Sequence, residues 1–211
     1  MLRINEIFYS IQGESSFAGY PCVFVRMTGC NLRCNYCDTT YAYEDGQDME
    51  IIQIIEEVEK HPCRLIELTG GEPLIQVETP ELAHQLITRG WTVLVETNGT
   101  CDISKLPAGC IRIMDIKCPD SGESDKMDWD NIPLLYKRDE VKFVLTSRDD
   151  FFWACDVVER YHLNGKHIVH FSPVLNKVNP GDLAQWLLKD NLNIRLHLQL
   201  HKWIWPDAKG K

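Results

Sequence analysis

Cys30-Asn31-Leu32-Arg33-Cys34-Asn35-Tyr36-Cys37 places three thiols at i, i+4 and i+7 of one short loop. Thiolates at that spacing can hold three irons of a [4Fe–4S] cube and leave the fourth iron open to a small molecule. A structural zinc site closes its shell with four protein ligands, and a ferredoxin-type cube takes four cysteines. Three cysteines therefore point to a cluster with an exchangeable position. Two plainer readings stand beside it: a zinc knuckle with a distant fourth ligand, and three unrelated buried thiols.

Working outward, the loop follows an apolar run, Pro21 to Met27, that reads as a strand. Arg26 inside that run either faces solvent or reaches a site at the strand's end. Upstream, Leu2 to Ile11 reads as an edge strand or hairpin arm, and Gln12-Gly13-Glu14 as a polar turn. Downstream, strand-like runs at 64–68, 91–95, 110–116, 140–145, 167–171 and 194–200 alternate with stretches at helical period over 48–60, 79–89, 149–161 and 181–189. Alternating strands and helices imply parallel βα units. Their number predicts an α/β fold, a partial, incomplete TIM-like barrel. The long polar connection from Pro119 to Arg138 reads as a lid or mobile loop.

Unusual residues collect at the carboxyl ends of the predicted strands. They are the cysteine loop, Thr69-Gly70-Gly71-Glu72-Pro73, Glu96 with Asn98, Asp115 with Lys117, and Ser172-Pro173. In an α/β barrel that rim is where sites are built, so the coincidence favours a catalytic loop over a zinc-packing one. An amino acid on an open iron would present amine protons, which backbone carbonyls and Glu72 suit. Thr39, beside Asp38, reads either as a Mg²⁺ shell or as simple turn chemistry. His197 and His201 read as a surface and an end-of-strand residue. No HExxH, G-x-S-x-G or P-loop pattern occurs.

Composition excludes several classes. Lys+Arg 22 against Asp+Glu 31 gives a net charge of −9. The basic footprint needed for nucleic acid or anionic membrane is therefore missing. No apolar run is long enough for a membrane span. The N-terminus carries no secretory signal pattern, so a cytoplasmic placement is expected. Nine cysteines is an odd number; of the six outside the loop, none of which is recruited to the cluster, Cys22 and Cys110 read as buried small hydrophobes, and Cys118 beside Lys117 as a packing residue or a reactive thiol.

C-x3-C-x2-C followed by Gly-Gly-Glu-Pro resembles the radical S-adenosylmethionine (SAM) superfamily. The opening Glu6 to Glu14, Asp38-Thr39 after the last cysteine, and Leu198 to Lys202 with Pro206 resemble the 7-carboxy-7-deazaguanine synthase family within it. The resemblance implies one radical SAM domain over residues 1–211, with 207–211 a flexible extension. It implies Cys30, Cys34 and Cys37 on the [4Fe–4S] cluster and Thr39 on Mg²⁺. SAM would be bound by Gly71, Glu72, Asp115, Ile116, Lys117, Ser172, Pro173, Val174 and Leu175. The pterin substrate would be bound by Ile11, Gln12, Gly13, Glu14, Arg26, Thr69 and Pro206. Asp115 departs from the serine common in the family.

The implied reaction converts 6-carboxy-5,6,7,8-tetrahydropterin to 7-carboxy-7-deazaguanine and ammonia by radical ring contraction, a lyase step towards queuosine. A homodimer and an external reductant such as flavodoxin or ferredoxin are further implications. An activase installing a glycyl radical on a partner enzyme is the alternative within the superfamily. A zinc or iron–sulfur binding module is the alternative outside it.

Overall fold

The computed structural model describes residues 1–206; the extension read at 207–211 lies outside them. One nine-stranded sheet organises the chain, in the order β3-β1-β2-β4-β5-β6-β7-β8-β9. β1 (Leu2–Ile11) pairs antiparallel with both β2 (Pro21–Met27) and β3 (Gln47–Met49). Every pairing from β2 onward is parallel: β4 (Leu65–Gly70), β5 (Thr92–Thr97), β6 (Ile111–Lys117), β7 (Glu140–Leu145), β8 (Ile168–Pro173) and β9 (Arg195–Leu196). The sheet does not close on itself, as expected of a partial barrel.

Four helices, α1 (Ile51–Val58), α2 (Thr79–Thr88), α3 (Arg148–Arg160) and α4 (Pro180–Lys189), connect the strands. Side chains alternate along each strand, and here the two faces differ in chemistry. Val23, Val25, Ile66, Leu68, Val93, Val95, Met114, Ile116, Val141, Phe143, Val169 and Phe171 join the apolar core shared with the helices. On β2, β4, β5, β6 and β7 the alternate register holds Arg26, Glu67, Glu96, Asp115 and Lys142, which line the cavity on the opposite face. Arg26 therefore faces the interior, not solvent. No helix among the described residues is long and apolar enough to cross a membrane.

Four expectations are corrected. The helix read from Asp48 begins at Ile51, because Gln47–Met49 is recruited as an edge strand on β1. The helix expected over 149–161 does not bury all its apolar residues: Phe152 is half exposed and lies under the Arg148 guanidinium. The alternating run Ile194 to Leu200 pairs only at Arg195 and Leu196, and a short helix, α5 (Leu200–Ile204), replaces its end. Leu196 and its successors bury no common face, so alternation alone does not hold them in the sheet.

The fourth correction concerns the stretch from Pro119 to Arg138. It forms three short 3₁₀ turns with Ser121, Glu123, Met127, Asn131, Ile132 and Leu135 buried. Asn131 binds the carbonyls of Gly99 and Cys101 through Nδ2 (3.0 and 2.9 Å). This packed segment is a buttress; its polar composition serves backbone groups rather than mobility.

Candidate active site

The cysteine loop is held from both sides. On one side the buttress receives it: Asn35 N donates to Ser121 O (3.0 Å), Asn35 Nδ2 to Asp120 O (3.1 Å) and Arg33 N to Glu123 Oε1 (2.7 Å). On the other, the end of β4 presses against it. Glu72 N donates to Gly29 O (2.8 Å), and a Cβ added at Gly71 would sit 1.9 Å from that oxygen and 2.7 Å from Cys30 Cβ. Only a glycine permits this approach, which accounts physically for the Gly-Gly pair one strand after the cysteines.

All three thiols line one cavity of about 420 Å³. Burial pushes the Cys30 thiol up and the Cys34 thiol to about 11. Left alone they stay protonated, and a bound cationic centre is what converts such thiols to thiolates. Cys30 Sγ also accepts from Leu32 N (3.4 Å) and Asn98 Nδ2 (3.9 Å), donors suited to a charged sulfur. Three thiols on one cavity wall, with N–H donors aimed at Cys30, suit the cluster.

Of the residues matched to SAM, Gly71, Asp115, Lys117 and Val174 line the cavity. Lys117 Nζ pairs with Asp115 Oδ2 (2.8 Å), while Asp115 Oδ1 and Ser172 Oγ are buried with no partner among the described residues. Of the two, Asp115 belongs to the cavity wall, where its free oxygen is an acceptor open to a ligand's donor. Burial opposes charge on Lys117, but Asp115 together with Tyr36 and Cys34 outweighs it and raises its ammonium above the usual range.

Glu72 is placed differently from expectation. It is fully buried and absent from the cavity wall. Its carboxylate caps its own turn at Leu74 N (3.0 Å) and accepts from Thr97 Oγ1 (2.8 Å) and Asn98 N (2.6 Å). It thus ties β4 to β5. Ile116 points into the helix-side core. Ser172, Pro173 and Leu175 also stay out of the wall.

Every residue matched to the substrate lines the same cavity: Ile11, Gln12, Gly13, Glu14, Arg26, Thr69 and Pro206. Arg26 Nε donates to Glu6 Oε1 (2.7 Å), and its guanidinium is flanked by Phe8 and Tyr41. Thr39 Oγ1 donates to Asp38 Oδ1 (2.9 Å), whose other oxygen meets Lys202 Nζ (2.5 Å).

Sequence reasoning missed the cavity floor. Lys142 pairs with Glu14, Glu96 and Asp115. Burial raises Glu14, but Lys142 and then His201 hold its carboxyl well below the usual range. Glu67 is the opposite case. Burial, then the proximity of Glu96 and Glu14, raises its carboxyl well above the usual range, and it accepts from Gln12 Nε2. His201 packs against Gly13 and lines the cavity, while His197 is buried against His170, so neither has the role read for it.

The Radical SAM superfamily profile matches residues 24–188. A protein of Chlorobaculum tepidum named 7-carboxy-7-deazaguanine synthase is 45% identical, covering 99% of this chain and 97% of that protein. One of the same name from Koribacter versatilis is 42% identical, covering 99% and 100%.

The chain belongs to the 7-carboxy-7-deazaguanine synthase family.

A solved structure of QueE from Escherichia coli matches with a TM-score of 0.76 over 94% of this chain and 93% of that one. At 20% identity this likeness bears on the fold alone. It shows that the open, mostly parallel sheet seen here is an architecture adopted in solved proteins. Membership of the 7-carboxy-7-deazaguanine synthase family makes the chain a radical SAM enzyme.

Proposed function

We propose that the protein converts 6-carboxy-5,6,7,8-tetrahydropterin to 7-carboxy-7-deazaguanine with release of ammonia. The observation that carries this reading is a single cavity shared by a three-thiol loop and a wall of Gln12, Glu14, Arg26 and Thr69. The cluster and SAM, when bound, supply the hydrogen-abstracting radical chemistry.

Cys30, Cys34 and Cys37 would hold the cluster. Gly71, Asp115, Lys117 and Val174 would meet SAM beside it. Arg26, a planar and permanently charged fork, would orient the substrate carboxylate. Glu14, ionised, accepts ring N–H groups, and Glu67 keeps the Gln12 amide in place. Thr39 would share a Mg²⁺ with the substrate carboxylate, using its oxygen as a hard ligand. A homodimer, a flavodoxin or ferredoxin reductant and a cytoplasmic setting complete the proposal. Nine free cysteines accord with a reducing compartment.

Anaerobic reconstitution tests it. The expected result is a brown protein with about four irons per chain. With SAM, reductant and the carboxytetrahydropterin it should form the deazaguanine product. A fully loaded protein that forms no product would sink the assignment.

A further inference from the structure

Lys142 is a buried cation on β7 whose partners come from three separate segments. Nζ lies 2.7 Å from Glu14 Oε2 and 3.5 Å from Asp115 Oδ2, and it also bonds Glu96 Oε1. Its side chain is only 4% exposed. Two of the ammonium's three protons go to Glu14 and Glu96, and Asp115 completes the ring of carboxylates around it at ion-pair distance. Each carboxylate keeps a second oxygen with a different job. Glu14 Oε1 accepts from Gln199 (2.7 Å), Glu96 Oε2 accepts from Thr69 Oγ1 (3.1 Å), and Asp115 Oδ1 is an orphan.

Another buried ion pair among the described residues, Arg112 with Asp139, shows what a structural one looks like here. Arg112 and Asp139 serve backbone groups: Arg112 Nη2 donates to Leu106 O, and Asp139 accepts from Arg112 N and Tyr136 N. Neither residue lines the cavity. Lys142 serves no backbone group that the structure records, and all three of its partners line the cavity. Burying a charge cluster costs stability unless it is fully paired, and an apolar residue of similar size would often serve the fold as well. The arrangement makes sense as placement of the carboxylates.

We propose that Lys142 is the positioning residue of this cavity, fixing Glu14 and Glu96 at the substrate wall and joining them to Asp115 on the cofactor side. This deepens the reading above and rests on it. The substrate class it serves is a bicyclic ring rich in N–H donors, for which two fixed carboxylates are complementary acceptors. Asp115 also pairs with Lys117 (2.8 Å), so the cofactor side keeps an anchor of its own when Lys142 is removed.

The test uses the cluster-loaded protein and measures dissociation constants for SAM and for the pterin separately, in wild type and in Lys142→Met. The charge-assisted contacts predict that pterin affinity falls about tenfold or more, with SAM affinity changing by no more than about threefold. Equal pterin affinity in variant and wild type overturns the proposal, as does parallel loss of both ligands, which is what a merely structural role would give. If Lys142→Met does not fold, Lys142→Gln carries the same measurement with a polar, uncharged side chain, and the same two outcomes overturn it. Wild type that binds SAM but not the pterin would instead remove the functional reading itself.

Discussion

Gly71→Ala is the sharpest probe of how the cluster loop is held. The new Cβ would lie 1.9 Å from Gly29 O, about 1.5 Å short of the 3.4 Å at which ordinary contact begins. Both clashing partners, Gly29 and Cys30, belong to the cluster loop or its entry, and the nearest atoms are backbone, so no rotamer change relieves it. Either the end of β4 or the loop must retreat. Retreat breaks Glu72 N to Gly29 O (2.8 Å) and strains Gly71 N to Met27 O (3.2 Å). Leaving buried donors unmet costs about 1–3 kcal/mol each, so the variant should lose roughly 3 kcal/mol. For a chain of this size that lowers Tm by roughly 10 °C. Because Cys30 moves with the loop, iron content after anaerobic reconstitution should fall as well. Gly99→Ala is the control: φ of +73° adds strain, but the nearest atom is the flexible end of Met127, at 2.6 Å. It should cost about 1–2 kcal/mol and leave iron loading intact. Gly71→Ala with wild-type Tm and wild-type iron would refute the reasoning.

Three other outcomes are expected. Arg26→Ala should raise the pterin KM, with kcat/KM falling about 10- to 100-fold for loss of a charged hydrogen bond, and steady-state kinetics with unchanged SAM dependence would check it. Thr39→Val should abolish the difference between turnover with Mg²⁺ and turnover in chelator; a persistent difference would move the metal elsewhere. His197 is held down to about 4 by burial, then by His170 and Lys142. Since its folded value lies below the unfolded 6.5, stability present above pH 6.5 is lost as pH falls towards 4, at up to about 1.4 kcal/mol per pH unit. Urea titrations of His197→Phe should lack that component, and an identical slope in both proteins would contradict it.

The strands on the helix side were legible because their apolar residues recur at period two and are bounded by glycine, proline or polar turns. Arg26 was visible as an oddity but not as an inward one, since a single sequence does not say which face of a parallel strand is concave. The signal that could have found the floor was the repetition of such oddities. Glu67, Glu96, Asp115 and Lys142 each interrupt an apolar strand, and each stands in the register opposite the core residues. Read together they describe a charged interior. Glu72 was misjudged because a carboxylate in a glycine turn looks available, whereas Leu74 N, Thr97 and Asn98 already claim it. The segment from Pro119 to Arg138 looked mobile for want of apolar residues. Its packing depends on Asn131 and Glu123 bonding distant backbone, which has no local sequence pattern.

The residues after β9 fold back onto the beginning of the chain. Leu200 N donates to Gly13 O (3.0 Å), Gln199 reaches Glu14, and Lys202 reaches Asp38 beside the last thiol. One side of the cavity is thus built by segments made early in translation and another by segments made late. A nascent chain halted before Gln199 would present the cysteine loop, its buttress and most of the sheet with the flank formed by Gln199, His201, Lys202, Trp205 and Pro206 missing. The order of synthesis therefore completes that flank of the cavity last.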